Sequence, residues 1–317
     1  MEFISFIIPC YGSEGTIEYV VNEIIETVSL RKEDYDYEII CVNDYSPDNV
    51  FDVVTKLCRN NSKVKAVNLA KNMNRPGAVM AGLKYAEGDY VVIMDDDGQC
   101  PMDKFWTLFV PVEEGHDVSI ADYPSRKQSF FKDIGTKVNM MMTHFIIDRP
   151  KDKQFTNFMI LKRFVVDEII KYSNPYPYFT GLLLRTTNDI VNIPMEERSR
   201  YSGKTTFTFK KMVNLWLNGL TAFSIKPLRI SSLIGAICAF AGFVFGIITV
   251  IRKLLIPNIS AGWSSLISVI LFIGGLLMLM LGMIGEYIGR IYISINNSPQ
   301  YVIKETINID DKSDDKE

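Results

Sequence analysis

The sequence predicts an α/β protein in which a mostly parallel, doubly wound sheet is followed by two membrane-spanning helices. Strand-like and helix-like segments alternate closely over residues 5–95, which implies parallel strands joined by right-handed crossovers. Toward the C-terminus, Ile230–Ile251 and Leu254–Gly285 contain no charged residue, and each exceeds the roughly 20 residues needed to cross a bilayer. Buried helices of soluble proteins usually keep a polar face, so a pair of core helices is the weaker interpretation.

The elements of the first half follow from the spacing of apolar residues. Apolar residues from Ile17 to Val28 recur at helical spacing, whereas the strands are short β-branched runs that end in turn residues. The predicted strands are Ser5–Pro9, Tyr37–Val42, Val64–Leu69 and the run from Asp89 that ends at Asp95. The predicted helices are Thr16–Val28, Val50–Cys58 and Gly77–Ala86.

Polar side chains follow three of these four strands. Tyr11 and Glu14 follow the first strand, Asp44 follows the second, and Asp95 and Asp97 follow the fourth. Because the carboxyl ends of parallel strands meet at one edge of a sheet, these groups predict a nucleotide site. The sequence has neither GxGxxG after the first strand nor GxxxxGK followed by Ser or Thr. A bound diphosphate would therefore need a cation and basic side chains.

Three consecutive carboxylates, Asp95-Asp96-Asp97, end the buried fourth strand. Adjacent carboxylates repel one another unless a cation lies among them, and their hard oxygens suit Mg²⁺ or Mn²⁺. A solvated acidic turn is the competing interpretation of such a run in isolation. The two histidines, His116 and His144, and five cysteines without a CxxC pair argue against a zinc site and a disulfide framework.

The second half of the chain points to a membrane. Phe130–Ile146 and Phe207–Phe223 carry apolar stripes flanked by basic residues, which favours helices lying at the headgroups, with ordinary core helices as the alternative. Basic residues before the first span outnumber those between the spans, which places the N-terminal domain and the C-terminus in the cytoplasm. The predicted divisions are an α/β domain at 1–205, an interfacial helix at 206–229, spans at 230–251 and 263–285, and a cytoplasmic tail with a disordered end at 286–317.

Five motifs, in this order, resemble those of one enzyme family. They are Ile8–Glu14, Val42–Asp48, Met94–Pro101, Arg200–Thr205 and Gly285–Tyr292. Over about residues 3–303 the chain is similar to the membrane-anchored polyprenyl-phosphate glycosyltransferases of glycosyltransferase family 2, which include dolichyl-phosphate mannose synthases and undecaprenyl-phosphate sugar transferases. The resemblance implies a GT-A fold, a nucleotide-diphosphate sugar donor, Mg²⁺ or Mn²⁺ as cofactor, and a polyprenyl phosphate acceptor.

The resemblance also implies roles for individual residues. Asp95 and Asp97 occupy the outer positions of the DxD motif and would bind the metal and, through it, the donor phosphates. Gln99 would complete this catalytic group, while Arg200 and Lys204 would close over the phosphates. The remaining donor contacts would come from Pro9, Tyr11, Glu14, Asp44 and Asp96.

The chain departs from the family pattern at two places. Asn43–Ser46 reads Asn-Asp-Tyr-Ser where relatives often have Asp-Asp before Gly-Ser, so contacts to the base are expected to differ. Gln154–Met159 lacks the acidic residue that many relatives carry there, so no side chain is assigned as a general base. A phosphate monoester is mostly a dianion at neutral pH and needs no base, whereas a sugar hydroxyl does. The second departure therefore favours a phosphate acceptor.

The resulting hypothesis is an inverting transferase. It moves one sugar from a nucleotide donor, with a UDP-sugar favoured, to polyprenyl phosphate at the cytoplasmic membrane face, giving a lipid-linked sugar for modification of cell-envelope glycans. Arg126, Lys132 and Lys137 would lie near the acceptor phosphate, although ordinary surface charge explains them equally well.

Two alternatives stay open at this point. Transfer to a glycan or lipid hydroxyl is disfavoured because the QxxRW signature of processive synthases is missing. An inactive membrane scaffold for a flippase partner or a second transferase is disfavoured by the intact DxD motif. Gly235, Gly242 and Gly246 permit close helix packing and hence a homo-oligomer, and no nucleic-acid partner is predicted.

Overall fold

The structure, a computed structural model, forms two compact units. It describes residues 1–123, 150, 152–175, 177–199, 226–255, 262–296 and 299–309. The first unit contains residues 1–209 together with 298–317, and the second contains residues 210–297. The chain therefore leaves the first unit once and returns to it.

The described part of the first unit is built on an eight-stranded sheet. In the order β7-β5-β6-β4-β1-β2-β3-β8, its strands are Ile190–Pro194, Val118–Asp122, Met159–Lys162, Tyr90–Ile93, Glu2–Cys10, Tyr35–Asn43, Val64–Leu69 and Ile303–Ile307. The four central strands, β4-β1-β2-β3, are mutually parallel, as the sequence predicted. Antiparallel pairs join β6 to β4, β5 to β6 and β8 to β3, so the sheet as a whole is mixed.

Helices cover both faces of this sheet, which confirms the doubly wound arrangement. Ile4, Phe6 and Ile8 belong to one buried cluster with residues of the helices that follow β1, β2 and β4. On the other face, a Cβ added at Gly82 would lie 2.5 Å from Ile7 Cγ2, so glycine allows the helix after β3 to approach the sheet closely. The helices are α1 (Ile17–Ser29), α2 (Val50–Asn60), α3 (Asn74–Leu83), α4 (Phe105–Glu113), α5 (Arg163–Ile169) and α6 (Phe179–Thr186).

The second unit consists, in its described part, of two long helices, α7 (Lys226–Leu255) and α8 (Trp263–Ile295). Within α8, Phe272–Ile293 is long and apolar enough to cross a membrane, whereas the apolar stretch of α7, Ser231–Phe245, is shorter. Both predicted spans fall within helices, but the prediction of two crossings is not confirmed. A Cβ added at Gly235 would lie 2.6 Å from Met280 Cε, so this glycine serves packing of α7 against α8.

The C-terminal segment differs from the predicted tail at 286–317. Helix α8 continues to Ile295, and Ile303–Ile307 forms β8 on the outer edge of β3. This strand was not predicted, because it is short and carries Lys304 and Glu305, as edge strands often do, and so has little apolar periodicity. The predicted segments Phe130–Ile146 and Phe207–Phe223 and the predicted disordered end at 310–317 lie outside the described residues.

Candidate active site

The predicted donor residues meet at the carboxyl edge of the central strands. The backbone N–H of Asp44, after β2, donates to the carbonyl of Cys10 at the end of β1, at 3.1 Å. The backbone N–H of Tyr11, after β1, donates to Asp96 Oδ2, after β4, at 2.9 Å. The ends of β1, β2 and β4 are thus joined by hydrogen bonds, and the polar groups that follow them share one site.

Asp95 lies between two partners that the sequence analysis did not assign. Arg75 donates from Nε to Asp95 Oδ1 at 2.8 Å, and Asn157 donates from Nδ2 to Asp95 Oδ2 at 2.7 Å. Arg75 also donates to the backbone carbonyl of Asn157 at 3.3 Å. A cation from α3 therefore already balances the charge of the first carboxylate of the DxD motif.

Antiparallel register explains the position of Asn157. Ile93 of β4 pairs with Met159 of β6, so the residue two positions after Ile93 stands opposite the residue two positions before Met159. Those residues are Asp95 and Asn157. The segment in which many relatives carry an acid thus lies directly beside the DxD motif, and here it presents an amide.

Asp96 joins two loops. Its carboxylate accepts a hydrogen bond from the backbone N–H of Tyr11, and its carbonyl accepts one from the hydroxyl of Thr16 at 2.7 Å. Burial raises the pKa of Asp96 to about 6. These contacts hold the loop after β1 against β4, and contact between Asp96 and the donor ribose or sugar stays a prediction.

Asp97 and Gln99 form a turn that contacts a distant part of the chain. Asp97 Oδ1 accepts the backbone N–H of Gln99 at 3.1 Å, and Gly98 between them has a φ of 75°, which favours glycine. Two hydrogen bonds join Gln99 to Arg198. The side-chain amide of Gln99 donates to the backbone carbonyl of Arg198, and the backbone N–H of Arg198 donates to the backbone carbonyl of Gln99. The remaining predicted phosphate and acceptor residues, Arg200, Lys204, Arg126, Lys132 and Lys137, lie outside the described residues.

The residues predicted to hold the nucleoside lie on the β1 and β2 side of the site. Asp44 is only 3% exposed, and its Oδ1 accepts the backbone N–H of Met73 at 2.6 Å. Glu14 accepts the backbone N–H of Asn49 at 3.2 Å, next to the start of α2. Pro9 is buried within β1, whereas Tyr11 is 42% exposed. Tyr11 is therefore more accessible to a donor than Pro9.

Burial of Asp44 makes stability depend on pH. Burial raises its pKa from 3.8 to about 6, so the folded state keeps this proton at pH values where the unfolded state has released it. The free energy of unfolding should therefore fall as pH rises through this interval. Asp44→Asn should lessen this fall, and denaturant unfolding at pH 4 to 7 measures it. Asp52→Asn, at an exposed position of α2, is the control, and equal pH slopes for Asp44→Asn and the wild type would contradict this prediction.

The carboxylates fit a cation that is shared with a substrate. No three His, Cys, Asp or Glu side chains among the described residues are grouped closely enough to hold a metal ion. Mg²⁺, however, is often held by only one or two carboxylates together with substrate phosphates. Both oxygens of Asp95 accept hydrogen bonds, from Arg75 and Asn157, and Oδ1 of Asp97 accepts the backbone N–H of Gln99, so a cation would share these carboxylates with groups of the protein.

Two parts of the chain match models of known protein families. Residues 5–170 match the model of glycosyl transferase family 2, and residues 226–291 match that of the GtrB C-terminal hairpin. The chain is 30% identical to a bactoprenol glucosyl transferase of Shigella phage SfII over 96% of this chain and 98% of that protein. It is 27% identical to an undecaprenyl-phosphate 4-deoxy-4-formamido-L-arabinose transferase of Proteus mirabilis, over 96% and 94% of the two chains.

Among solved structures, the chain resembles a glucosyl-3-phosphoglycerate synthase in part of its length. The crystal structure of that Mycobacterium tuberculosis enzyme, in complex with Mn²⁺, UDP-glucose and phosphoglyceric acid, aligns with a TM-score of 0.52 at 16% identity. The alignment covers 69% of this chain and 78% of the synthase. At this level of identity the likeness concerns the fold, and it agrees with the predicted GT-A type of sheet.

Proposed function

Because this chain belongs to glycosyltransferase family 2, we propose that it transfers one sugar from a nucleotide-diphosphate donor to a polyprenyl phosphate. The observation that carries the proposal is the placement of the DxD carboxylates at the shared edge of β1, β2 and β4, where open α/β sheets bind nucleotides. The matched C-terminal hairpin supports a lipid acceptor, since relatives that align along nearly the whole chain are named for bactoprenol and undecaprenyl phosphate.

The donor in this proposal is a UDP-sugar. Support comes from the fold, because the synthase with the similar fold holds UDP-glucose and Mn²⁺. Asp97, together with Asp95, would hold Mg²⁺ or Mn²⁺, which when bound neutralises the charge of the donor diphosphate. Arg75, at 2.8 Å from Asp95, adds a positive charge to the same site.

The reaction in this proposal needs no protein base. An oxygen of the acceptor phosphate forms a bond to the anomeric carbon, the bond from that carbon to the diphosphate oxygen breaks, and the nucleoside diphosphate leaves with the electron pair. In-line attack inverts the anomeric configuration. The acceptor arrives already ionised near neutral pH, and Asn157, opposite Asp95, cannot remove a proton. The chain's own contribution is to position the donor and to stabilise the leaving diphosphate.

The pairing of β8 with β3 limits how many times the chain can cross a membrane. β8 follows α7 and α8 in the chain, yet it pairs with β3 inside the first unit. A segment that leaves this unit and returns to it cannot cross a membrane just once, and Phe272–Ile293 of α8 is long and apolar enough to cross. We therefore propose that α7 and α8 both cross, with the first unit on the cytoplasmic side. A reporter fused after residue 317 should be cytoplasmic and one inserted at 256–261 external, and the same side for both would refute two crossings.

An extraction assay tests the proposed reaction. Membranes that contain the protein are incubated with undecaprenyl phosphate, Mg²⁺ and each of a panel of radiolabelled sugar nucleotides, led by UDP-glucose. We expect label to enter the organic phase with a UDP-sugar, in a product that mild acid hydrolyses. Membranes without the protein are the control, and the absence of extractable label with every donor would refute the proposal.

A further inference from the structure

Tyr45, in the loop after β2, has a backbone conformation that is costly for its residue type. Its φ is 52°, in the left-handed region, which is unfavourable for a residue with a Cβ atom. Its side chain is nevertheless 61% exposed, so apolar burial does not offset that cost. Strain of this kind persists only where the surroundings hold it, and it concentrates at binding sites.

A directional chain of hydrogen bonds reaches this turn from the C-terminal strand. Asn68 in β3 donates from Nδ2 to Glu305 Oε1 in β8 at 2.7 Å. Asn43 at the end of β2 donates from Nδ2 to Asn68 Oδ1 at 2.8 Å. Asn43 Oδ1 then accepts the backbone N–H of Ser46, the residue after Tyr45, at 3.1 Å. We name Glu305, Asn68 and Asn43 the relay.

The relay has one polarity, and both of its amides are buried. Asn43 and Asn68 are 8% and 7% exposed, so each needs its partners within the protein. The Glu305 carboxylate can only accept, which fixes Asn68 as a donor toward β8 and as an acceptor toward Asn43. The carbonyl of Asn43 is thereby left facing Ser46, where it closes the turn around Tyr45.

Further bonds attach the same turn to the donor side of the site. The carbonyl of Asp44, just before Tyr45, accepts a hydrogen bond from Asn72 Nδ2 at 3.0 Å. The hydroxyl of Ser46 accepts the backbone N–H of Gly12 at 2.8 Å and donates to Asp48 at 2.6 Å. The turn is therefore held on both sides of Tyr45 and is joined to the loop that carries Tyr11.

We propose that the relay positions the Tyr45 turn for donor binding, so that the strand after the hairpin is a working part of the donor site. The exposed ring of Tyr45, next to Asp44, gives the nucleoside base an aromatic surface on which to stack. Tyr45 is the donor-contacting residue, and Glu305, Asn68 and Asn43 are positioning residues. This inference rests on the proposed function and extends it to the recognition of the base.

Reversing the polarity of the relay tests the proposal. In Asn43→Asp, residue 43 can no longer donate a hydrogen bond. To bond with it, Asn68 must turn its side-chain NH₂ group toward residue 43, which turns the Asn68 side-chain oxygen toward the Glu305 carboxylate. Two acceptors then face each other, and we expect the KM for the UDP-sugar to rise roughly tenfold, with kcat within about twofold. Glu305→Gln keeps an acceptor for Asn68 and should change KM by about twofold at most.

The double variant Asn43→Asp/Glu305→Gln restores a matched donor and acceptor at every step, with the two bonds between side chains reversed and the Ser46 N–H still donating to residue 43. We expect its KM for the UDP-sugar, and its affinity for UDP measured by calorimetry, to return close to the wild-type values. Asn43→Asp/Glu87→Gln removes the same charge from a carboxylate outside the relay, so it should remain as impaired as Asn43→Asp alone. A double variant no better than Asn43→Asp would overturn the positioning role.

Tyr45→Gly separates the strain from the ring. Glycine relieves the left-handed conformation, so the thermal unfolding midpoint should stay level or rise, while affinity for UDP should fall roughly tenfold because the base loses its aromatic partner. Tyr45→Phe keeps the aromatic ring and should recover most of the UDP affinity that Tyr45→Gly loses. Unchanged UDP affinity in Tyr45→Gly would overturn the stacking role. If the wild-type protein forms no glycolipid, the proposed function fails instead.

Discussion

Asp97→Asn should lower kcat for sugar transfer by roughly 10³-fold and leave the thermal unfolding midpoint unchanged. The side chain is partly exposed, and Oδ1 accepts the backbone N–H of Gln99, a hydrogen bond that the oxygen of asparagine can also accept. The fold therefore loses little. The site loses the negative charge that would hold a cation against the donor diphosphate, and the leaving group is no longer stabilised.

Two controls give this result its meaning. Asp52→Asn removes the same charge from the exposed face of α2 and should retain wild-type turnover. Raising the Mn²⁺ concentration should recover part of the activity of Asp97→Asn if the loss lies in cation binding. Wild-type turnover in Asp97→Asn would exclude this carboxylate from the reaction, and wild-type function in cells despite lost turnover would favour a scaffold role.

The sequence was sufficient to predict the carboxyl edge of the sheet. Asp44 and Asp95 end buried parallel strands, and the position of such residues depends only on local periodicity and on the rule that parallel strand ends meet. Asn157 could not be placed this way, because its position opposite Asp95 depends on an antiparallel pairing between distant segments. Glu305 was missed for the same reason, since β8 joins the sheet only after the chain returns from α7 and α8.

Arg75 was missed for a local reason. Helix α3 was predicted to begin at Gly77, which left Arg75 outside the predicted helix. The helix begins at Asn74. Proline is tolerated in the first turn of a helix, because the N–H groups there have no partner within the helix. Arg75 stands just before such a proline, in the helix that follows a central strand. That position is the signal by which Arg75 could have been identified.

Arg75→Ala should lower kcat/KM for the UDP-sugar by roughly 100-fold, the size expected when a charge-assisted contact at a developing negative charge is lost. The guanidinium lies 2.8 Å from Asp95, so its removal leaves three adjacent carboxylates without that positive neighbour. Initial rates over a range of UDP-sugar concentrations measure the effect. Arg75→Lys keeps the positive charge but not the planar guanidinium group, so it should recover part of the lost kcat/KM. Arg59→Ala, on the exposed side of α2, should have no effect.

Metal binding without the donor distinguishes two roles for Arg75. If Arg75 competes with the cation for Asp95, Arg75→Ala should bind Mn²⁺ several-fold more tightly than the wild type in the absence of nucleotide, because a carboxylate released from an ion pair becomes an available ligand. If Arg75 only contacts the donor, Mn²⁺ affinity should stay constant while UDP affinity falls. Titration of Mn²⁺ followed by its electron paramagnetic resonance signal separates these cases. We expect the first, because the Arg75 guanidinium contacts Asp95 Oδ1 directly, and constant Mn²⁺ affinity would contradict it.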